Sequence, residues 1–435
     1  MYTILAINPG STSTKVAIYQ DDKAVRELTL RHSTEELAPF AGVLDQFDFR
    51  KQIILDAMKE AGVTLSDIDA VIGRGGLIKP VKSGVYEVNE TMIDDIRHRP
   101  VGQHASNLGA LLAYDIAREA GAKAYMADPV VVDELQDVAR ITGHPDIERV
   151  SIFHALNQKA MARAYAEKRG VRYEDLNLIV VHLGGGISVG AHRKGEVIDV
   201  NNALDGEGPF SPERAGGLPA LAVAKWAASG KYDIRQIAKF INSRGGFVAH
   251  FGTNSAMEIS KRAEEGDQRA ALVQDAMCYN VGKAVGAMAT VLKGQVDAII
   301  LTGGIAHDKY VCKYIGDMVS FIAEVVVMPG ENELEALRMI ECLKMSGLEI
   351  KDIKQFMDWC VEGASTYPLR RELLEKQKET VEAEIAHMNK FLDMLRFKCW
   401  YYDQAIQDGS EDRIKSLLPD HLPDDIQPLY DHAHQ

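Results

Sequence analysis

Several short clusters in this chain combine residue types suited to holding an anion. Asn8, Ser11, Ser13 and Lys15 crowd the exit of an apolar run, residues 2–7, with Pro9 and Gly10 at the bend. Such a tip between two strands can surround an anion with backbone N–H groups and hydroxyls. Standing alone, it reads first as a polar hairpin turn. Gly184, Gly185 and Gly186 follow a second apolar run, residues 178–183, and lead into Ser188 and Gly190. Gly303 and Gly304, with Ile305 next, end a third run, residues 298–302. Arg74 is the cation of a Gly-Arg-Gly-Gly loop, residues 73–76. Asp128 ends a further strand and is followed by Pro129, which stops regular pairing there. His104 falls near the start of an Ala/Leu-rich helix. Three strand-to-glycine junctions in one chain point to a nucleotide crevice between two similar halves, although a glycine after a strand is by itself an ordinary turn.

The elements that must position these groups are those of an α/β protein. Strands and helices alternate over residues 1–155, and residues 156–336 repeat the logic: strand, glycine-and-hydroxyl turn, strand. The chain has 435 residues, 46% of them apolar, enough for two or three domains with sizeable cores. A net charge of −14 argues against a nucleic-acid partner, which would need a basic face. Five dispersed cysteines with no CxxC pair read as reduced thiols, with neither a zinc site nor a disulfide framework. No apolar run reaches membrane-spanning length, and no basic stretch precedes the first apolar residues, so the expected location is cytoplasmic.

The ordered motifs Asn-Pro-Gly-Ser-Thr-Ser-Thr-Lys (8–15), Gly-Arg-Gly-Gly (73–76), Arg-Pro-Val-Gly-Gln-His (99–104), His-Leu-Gly-Gly-Gly-Ile-Ser (182–188), Leu-Asp-Gly-Glu-Gly-Pro-Phe-Ser-Pro-Glu-Arg (204–214) and Leu-Thr-Gly-Gly-Ile-Ala (301–306) carry a resemblance. Over residues 1–336 the chain resembles the butyrate kinases of the acetate-kinase family, within the actin/hexokinase-like ATPases. The resemblance implies two duplicated ribonuclease-H-like domains with a cleft between them. It also implies ATP and Mg²⁺ as cofactors, a short-chain fatty acid (butanoate) as substrate, and a homo-oligomer. The implied reaction is butanoate + ATP ⇌ butanoyl phosphate + ADP. A carboxylate is already a nucleophile, so the protein must chiefly position groups and neutralise charge.

Residue by residue, the resemblance makes Arg74 and Arg214 the guanidinium groups that hold the carboxylate and the phosphoryl group in flight. His154 becomes the donor to that group, and Asp128 the acid that orients the metal or the Arg/His cluster. Phe153 and His104 fall on the substrate side. Asn8, Ser11, Ser13 and Lys15 form one phosphate hairpin, and Gly184, Gly185 and Gly186 the other. Gly303, Gly304 and Ile305 lie beneath the adenosine, and Glu331 or Glu333 holds Mg²⁺ through water. Acetate kinases typically carry Val where this chain has Gly76, which implies room for a longer alkyl tail. Acetate, propionate or branched acids stay open as alternative substrates.

After Glu335 the pattern changes. Residues 342–354, Cys-Leu-Lys-Met-Ser-Gly-Leu-Glu-Ile-Lys-Asp-Ile-Lys, resemble the middle of a MerR-type regulator, without its DNA-binding head. Residues 372–402 carry a heptad pattern. One row is Leu374, Val381, Met388, Leu395 and Tyr402; the other is Lys378, Ile385, Leu392 and Cys399. The expected organisation is thus a helical, coiled-coil dimerisation segment at 337–402 and an acidic, loose or disordered tail at 403–435. From Arg338 onward 13 basic residues face 19 acidic ones, which argues against DNA binding. The chain reads as a fusion. Its second functional reading is a non-catalytic remnant that dimerises as a regulatory protein.

Overall fold

The computed structural model describes residues 2–10, 13–20, 23–40, 42–98, 105–330 and 366–434. These fall into two compact units, divided after Glu341. The first holds two sheets. In the N-terminal sheet the order is β3-β2-β1-β4-β6-β5, with β1 Thr3–Pro9, β2 Ser13–Gln20, β3 Lys23–Arg31, β4 Ala70–Arg74, β5 Val85–Glu87 and β6 Lys123–Ala127. In the other the order is β11-β10-β7-β8-β9, with β7 Asn177–Leu183, β8 Ile187–Arg193, β9 Glu196–Val200, β10 Ala298–Gly303 and β11 Val325–Pro329. The patterns correspond. A three-stranded antiparallel meander is followed in each by two parallel strands, β4 and β6 or β10 and β11, laid beside the first strand. The repeat in the sequence is therefore a repeat in topology.

Each sheet is built from runs that bury both faces. Every residue of β1 and of β10 is buried, as continuous apolar strands require when helices cover both sides. Helices Phe47–Glu60 and Asn107–Ala120 supply Ile54, Met58, Leu108, Leu112 and Ile116 to the N-terminal core around Leu5, Ile7 and Val71. Helices Gln268–Val291 and Lys309–Val319 cover one face of the second sheet with Met277, Val281, Val285 and Ile315. Helix Ala155–Arg169 covers the other with Met161 and Tyr165. Each such side chain contributes about 1.5–3 kcal/mol on burial. Leu156 of this last helix also packs on Ile4 and Ala6 of β1, so one helix touches both sheets.

The second unit is described by itself. Residues Tyr367–Asp408 form one helix of 42 residues, longer than the heptad pattern indicates, begun by Pro368 in its first turn and ended by Gly409 in the left-handed conformation. The stretch expected to be a loose tail continues this helix to Asp408 and adds helices Asp412–Leu417 and Gln427–His434. Ile414, Leu422 and Ile426 form a small core with Phe397 and Tyr401, and Tyr430 meets Phe397 edge-on at 5.1 Å. That core uses a different face from the heptad rows, of which Leu374, Leu392, Leu395 and Tyr402 are exposed. Among the described residues no helix is long and apolar enough to cross a membrane.

Candidate active site

The two glycine-bearing hairpins are present. In the first, Asn8 pairs with Lys15 and Pro9 with Thr14, and the Gly10 N–H donates to the Ser13 carbonyl at 2.7 Å. Asn8 is buried and its Oδ1 lies 3.5 Å from Arg74 Nη1, at the end of β4. Beneath Gly10 and Ser13 lies Arg50, 1% exposed, a residue that no motif in the sequence singles out. Its Nη1 donates to the carbonyls of Gly10 and Ser13 at 2.8 and 3.0 Å and to Thr14 Oγ1 at 3.1 Å. Its Nε and Nη2 both donate to Gln46 Oε1. Burial lowers the Arg50 pKa to about 10, which leaves it charged at neutral pH.

The second hairpin joins β7 to β8. Its turn is closed by Gly184 N–H donating to Gly186 O at 3.1 Å, and it is gripped by Ser211 Oγ donating to Gly185 O at 2.6 Å. A Cβ at Gly186 would lie 2.1 Å from Arg214 Nη1, so a side chain here would displace that guanidinium. Arg214 therefore rests directly on the hairpin. Its Nη1 donates to the Ala203 carbonyl, while its buried Nε has no hydrogen-bond partner among the described residues. Burial is the largest influence on this guanidinium and lowers its pKa; Arg74 adds to the lowering, and Glu213 and Asp205 oppose it. A desolvated cation with an unanswered N–H, beside a second cation, is an arrangement that an anion completes.

Arg74, Phe153, His154 and Arg214 line one small pocket of about 310 Å³, counting its solvent-open mouth, whose remaining wall is Leu77, Val130, Ile152, Ala203 and Leu204. It is polar where the arginines and the histidine enter and apolar elsewhere. His154 sits at the N-cap of helix Ala155–Arg169, its Nδ1 2.9 Å from Ser188 Oγ. Its ring stacks on His182 at 3.8 Å between centroids and 12° between planes.

A second, larger pocket of about 1540 Å³, counting its solvent-open mouth, borders the second hairpin. Gly184, Gly185, Gly304 and Ile305 line it, together with Asn254, Ser255, Ser260 and Asp308, which the sequence reading did not single out. Gly303 serves packing instead: its φ is +89°, and a Cβ would lie 2.4 Å from the Leu183 carbonyl.

Other expected site residues stand elsewhere. Asp128 is buried with φ +34°, and its carboxylate accepts from Ser83 Oγ at 2.6 Å, Gly84 N–H at 2.9 Å and Arg163 Nη1 at 3.2 Å. It clamps a turn and a helix and does not line the pocket of the two arginines. Gly76 does not line it either. A Cβ at Gly76 would lie 2.4–2.6 Å from Asn107 Oδ1, Cα and N, so this glycine admits the start of helix Asn107–Ala120 and does not enlarge a cavity. Gly76→Ala is expected to destabilise the protein by about 1–3 kcal/mol in urea unfolding, the usual cost of overpacking, without shifting acid preference. A changed preference at unchanged stability would restore the pocket reading. Ser11, His104, Glu331 and Glu333 lie outside the described residues. Among the described residues no group of three His, Cys, Asp or Glu side chains could hold a metal ion.

Two sheets of matching order, each opening on an antiparallel hairpin, define a duplicated α/β protein of the acetate-kinase fold. Porphyromonas gingivalis acetate kinase superposes with a TM-score of 0.63 at 18% identity, over 78% of this chain and 98% of that one. A propionate kinase from Francisella tularensis gives 0.62 at 19%, with the same coverage. The Acetokinase family pattern matches residues 147–327. Butyrate kinase 1 of Clostridium acetobutylicum is 56% identical over 337 residues, 78% of this chain and 95% of that protein. A probable butyrate kinase of Phocaeicola vulgatus is 55% identical over 334 residues, 77% of this chain and 94% of that protein. The chain belongs to the acetokinase family.

Proposed function

We propose that the chain transfers the γ-phosphoryl group of ATP to butanoate, forming butanoyl phosphate and ADP. The observation that carries this reading is the small pocket that Arg74, Arg214 and His154 line together, with every other lining residue apolar. High identity to butyrate kinases along most of their length supports it. A carboxylate oxygen attacks the γ-phosphorus, the bond to the β,γ-bridging oxygen breaks, and ADP carries away the electron pair. The planar guanidinium groups of Arg74 and Arg214 hold the carboxylate and the equatorial phosphoryl oxygens, a task for which the fork of arginine suits better than lysine. His154 donates to the same oxygens. The hairpin at residues 8–15 and the tip at 184–186 flank the phosphates, and the larger pocket takes the nucleoside. Mg²⁺, arriving with ATP, supplies further neutralisation of phosphate charge.

The alkyl tail packs against Leu77, Val130, Ile152 and Leu204. Each buried methylene contributes about 0.8 kcal/mol, or roughly fourfold per carbon, so neighbouring and branched acids are expected as slower substrates. The purified chain, incubated with ATP, Mg²⁺, hydroxylamine and acids of two to five carbons, is expected to give most hydroxamate with butanoate. No product with any acid would reject the enzyme reading in favour of a regulatory remnant, and a best rate with acetate would reject the substrate. For the second unit we propose dimerisation through the heptad rows of helix Tyr367–Asp408, of which Leu374, Leu392, Leu395 and Tyr402 are exposed. A monomeric species for residues 366–435 in sedimentation would count against it.

A further inference from the structure

A chain of buried hydrogen bonds runs from Tyr173 to His154, and its direction follows from the chemistry of each atom. The Ser188 backbone carbonyl can only accept. It lies 3.1 Å from Gln158 Nε2, so the amide nitrogen of Gln158 must face Ser188. The same Nε2 lies 2.8 Å from Ser188 Oγ and places its second N–H there. Ser188 Oγ therefore receives a proton from Gln158. Among the described residues its own proton has one remaining acceptor, His154 Nδ1 at 2.9 Å. On the other side Gln158 Oε1 lies 2.9 Å from His192 Nε2, which must carry hydrogen. His192 Nδ1 is then bare and accepts from Tyr173 OH at 2.6 Å. Burial pushes the His192 pKa well down, helped by Lys159 and Arg163, and pushes that of Tyr173 well up, so both stay neutral and the direction holds. Gln158, Ser188 and His192 are each 0% exposed, so water does not rearrange the chain.

We propose that Gln158 and Ser188 are positioning residues that fix the tautomer of His154, keeping Nδ1 as an acceptor and the proton on Nε2. Were Nδ1 to carry the proton, it and Gln158 would both donate to Ser188 Oγ, and the buried hydroxyl hydrogen would have no acceptor among the described residues. The relay presents His154 to the pocket of Arg74 and Arg214 as an N–H donor with no need of a positive charge. Its use in phosphoryl transfer rests on the function proposed above; the tautomer itself does not.

Two-bond ¹H–¹⁵N correlation spectra of the full chain, labelled at histidine and recorded at ~pH 8 where an ordinary imidazole is neutral, test it. His154 is assigned by its loss in His154→Gln. The expected pattern is an unprotonated Nδ1 and a protonated Nε2. Gln158→Glu replaces the donor with an acceptor that takes the Ser188 hydroxyl proton, so the His154 pattern should invert. With it kcat should fall about 10²-fold, as for loss of one transition-state donor, while the KM for the acid moves far less. Ser188→Ala should leave His154 a mixture of tautomers, and Ser188→Thr, which keeps the hydroxyl, should restore the wild-type pattern. A wild-type spectrum with protonated Nδ1 overturns the proposal, as does a Ser188→Ala spectrum identical to wild type. The predicted pattern in a chain that makes no acyl phosphate would instead reject the kinase reading and leave the relay standing.

Discussion

Arg214→Ala is expected to lower acyl phosphate formation by about 10³-fold, the scale for removing a preorganised donor from developing charge, while leaving the fold intact. Arg214 rests on Gly186, donates to the Ala203 carbonyl and holds its Nε buried with no partner among the described residues. For the free protein that is a cost: a cation is desolvated beside Arg74, and one of its donors goes unanswered. Removing it should therefore leave the unliganded melting temperature unchanged or slightly higher. Arg214→Lys should recover little, since an ammonium cannot span the positions of a planar fork. Thermal melts beside the hydroxamate assay separate these outcomes. Near-normal turnover in Arg214→Ala would remove this residue from the reaction, and a large drop in melting temperature would make its role architectural.

Gly246→Ala should be among the most damaging single methyl additions in the chain. Gly246 has φ +54°, and a Cβ there would lie 1.5 Å from the Ser211 carbonyl oxygen. The turn 211–214 is seated on this spot: Ser211 N–H donates to Arg214 O, Gly245 N–H to Glu213 O and Val248 N–H to Pro212 O, at 2.9–3.0 Å. The methyl group must lift that turn, and Arg214 with it. Left-handed strain and overpacking together predict a loss of about 4 kcal/mol, with turnover reduced as far as in Arg214→Ala. Gly252→Ala provides the comparison. Its φ is +75°, but nothing lies within 4 Å of its Cβ position, so conformational strain alone should cost about 1–2 kcal/mol. Urea unfolding measures both. Equal losses at the two positions would show that the seating of turn 211–214 is unimportant.

What could be read from the sequence followed the range of the interactions. The hairpins at residues 8–15 and 184–190 are local events, with apolar runs, glycines and hydroxyls in fixed order, and the strand pairing reproduces them. The convergence of Arg74, Phe153, His154 and Arg214 on one pocket joins segments 140 residues apart. No spacing encodes it, and only the family resemblance pointed there. Gly76 illustrates the opposite difficulty. A missing side chain says that something comes close, but not whether it is a substrate or the start of a helix; here it is Asn107. Asp128 at its strand end was visible as an acid in an unusual place, whereas its partners, Ser83, Gly84 and Arg163, come from distant elements. Gln158 and His192 gave no signal, since their importance lies in a buried chain that forms only when helix and sheet meet.

Under the proposed function, Arg50 bears on how the hairpin at residues 8–15 would meet a phosphate. A peptide turn near an anion brings carbonyl oxygens as well as N–H groups, and the oxygens repel. Here the carbonyls of Gly10 and Ser13 both accept from one buried guanidinium. Their negative ends are drawn towards the protein interior, and a permanent cation stands behind them. Gly10 and Ser13 are thus polarised from below in the unliganded chain, and any attraction they have for an anion would be set when the chain folds.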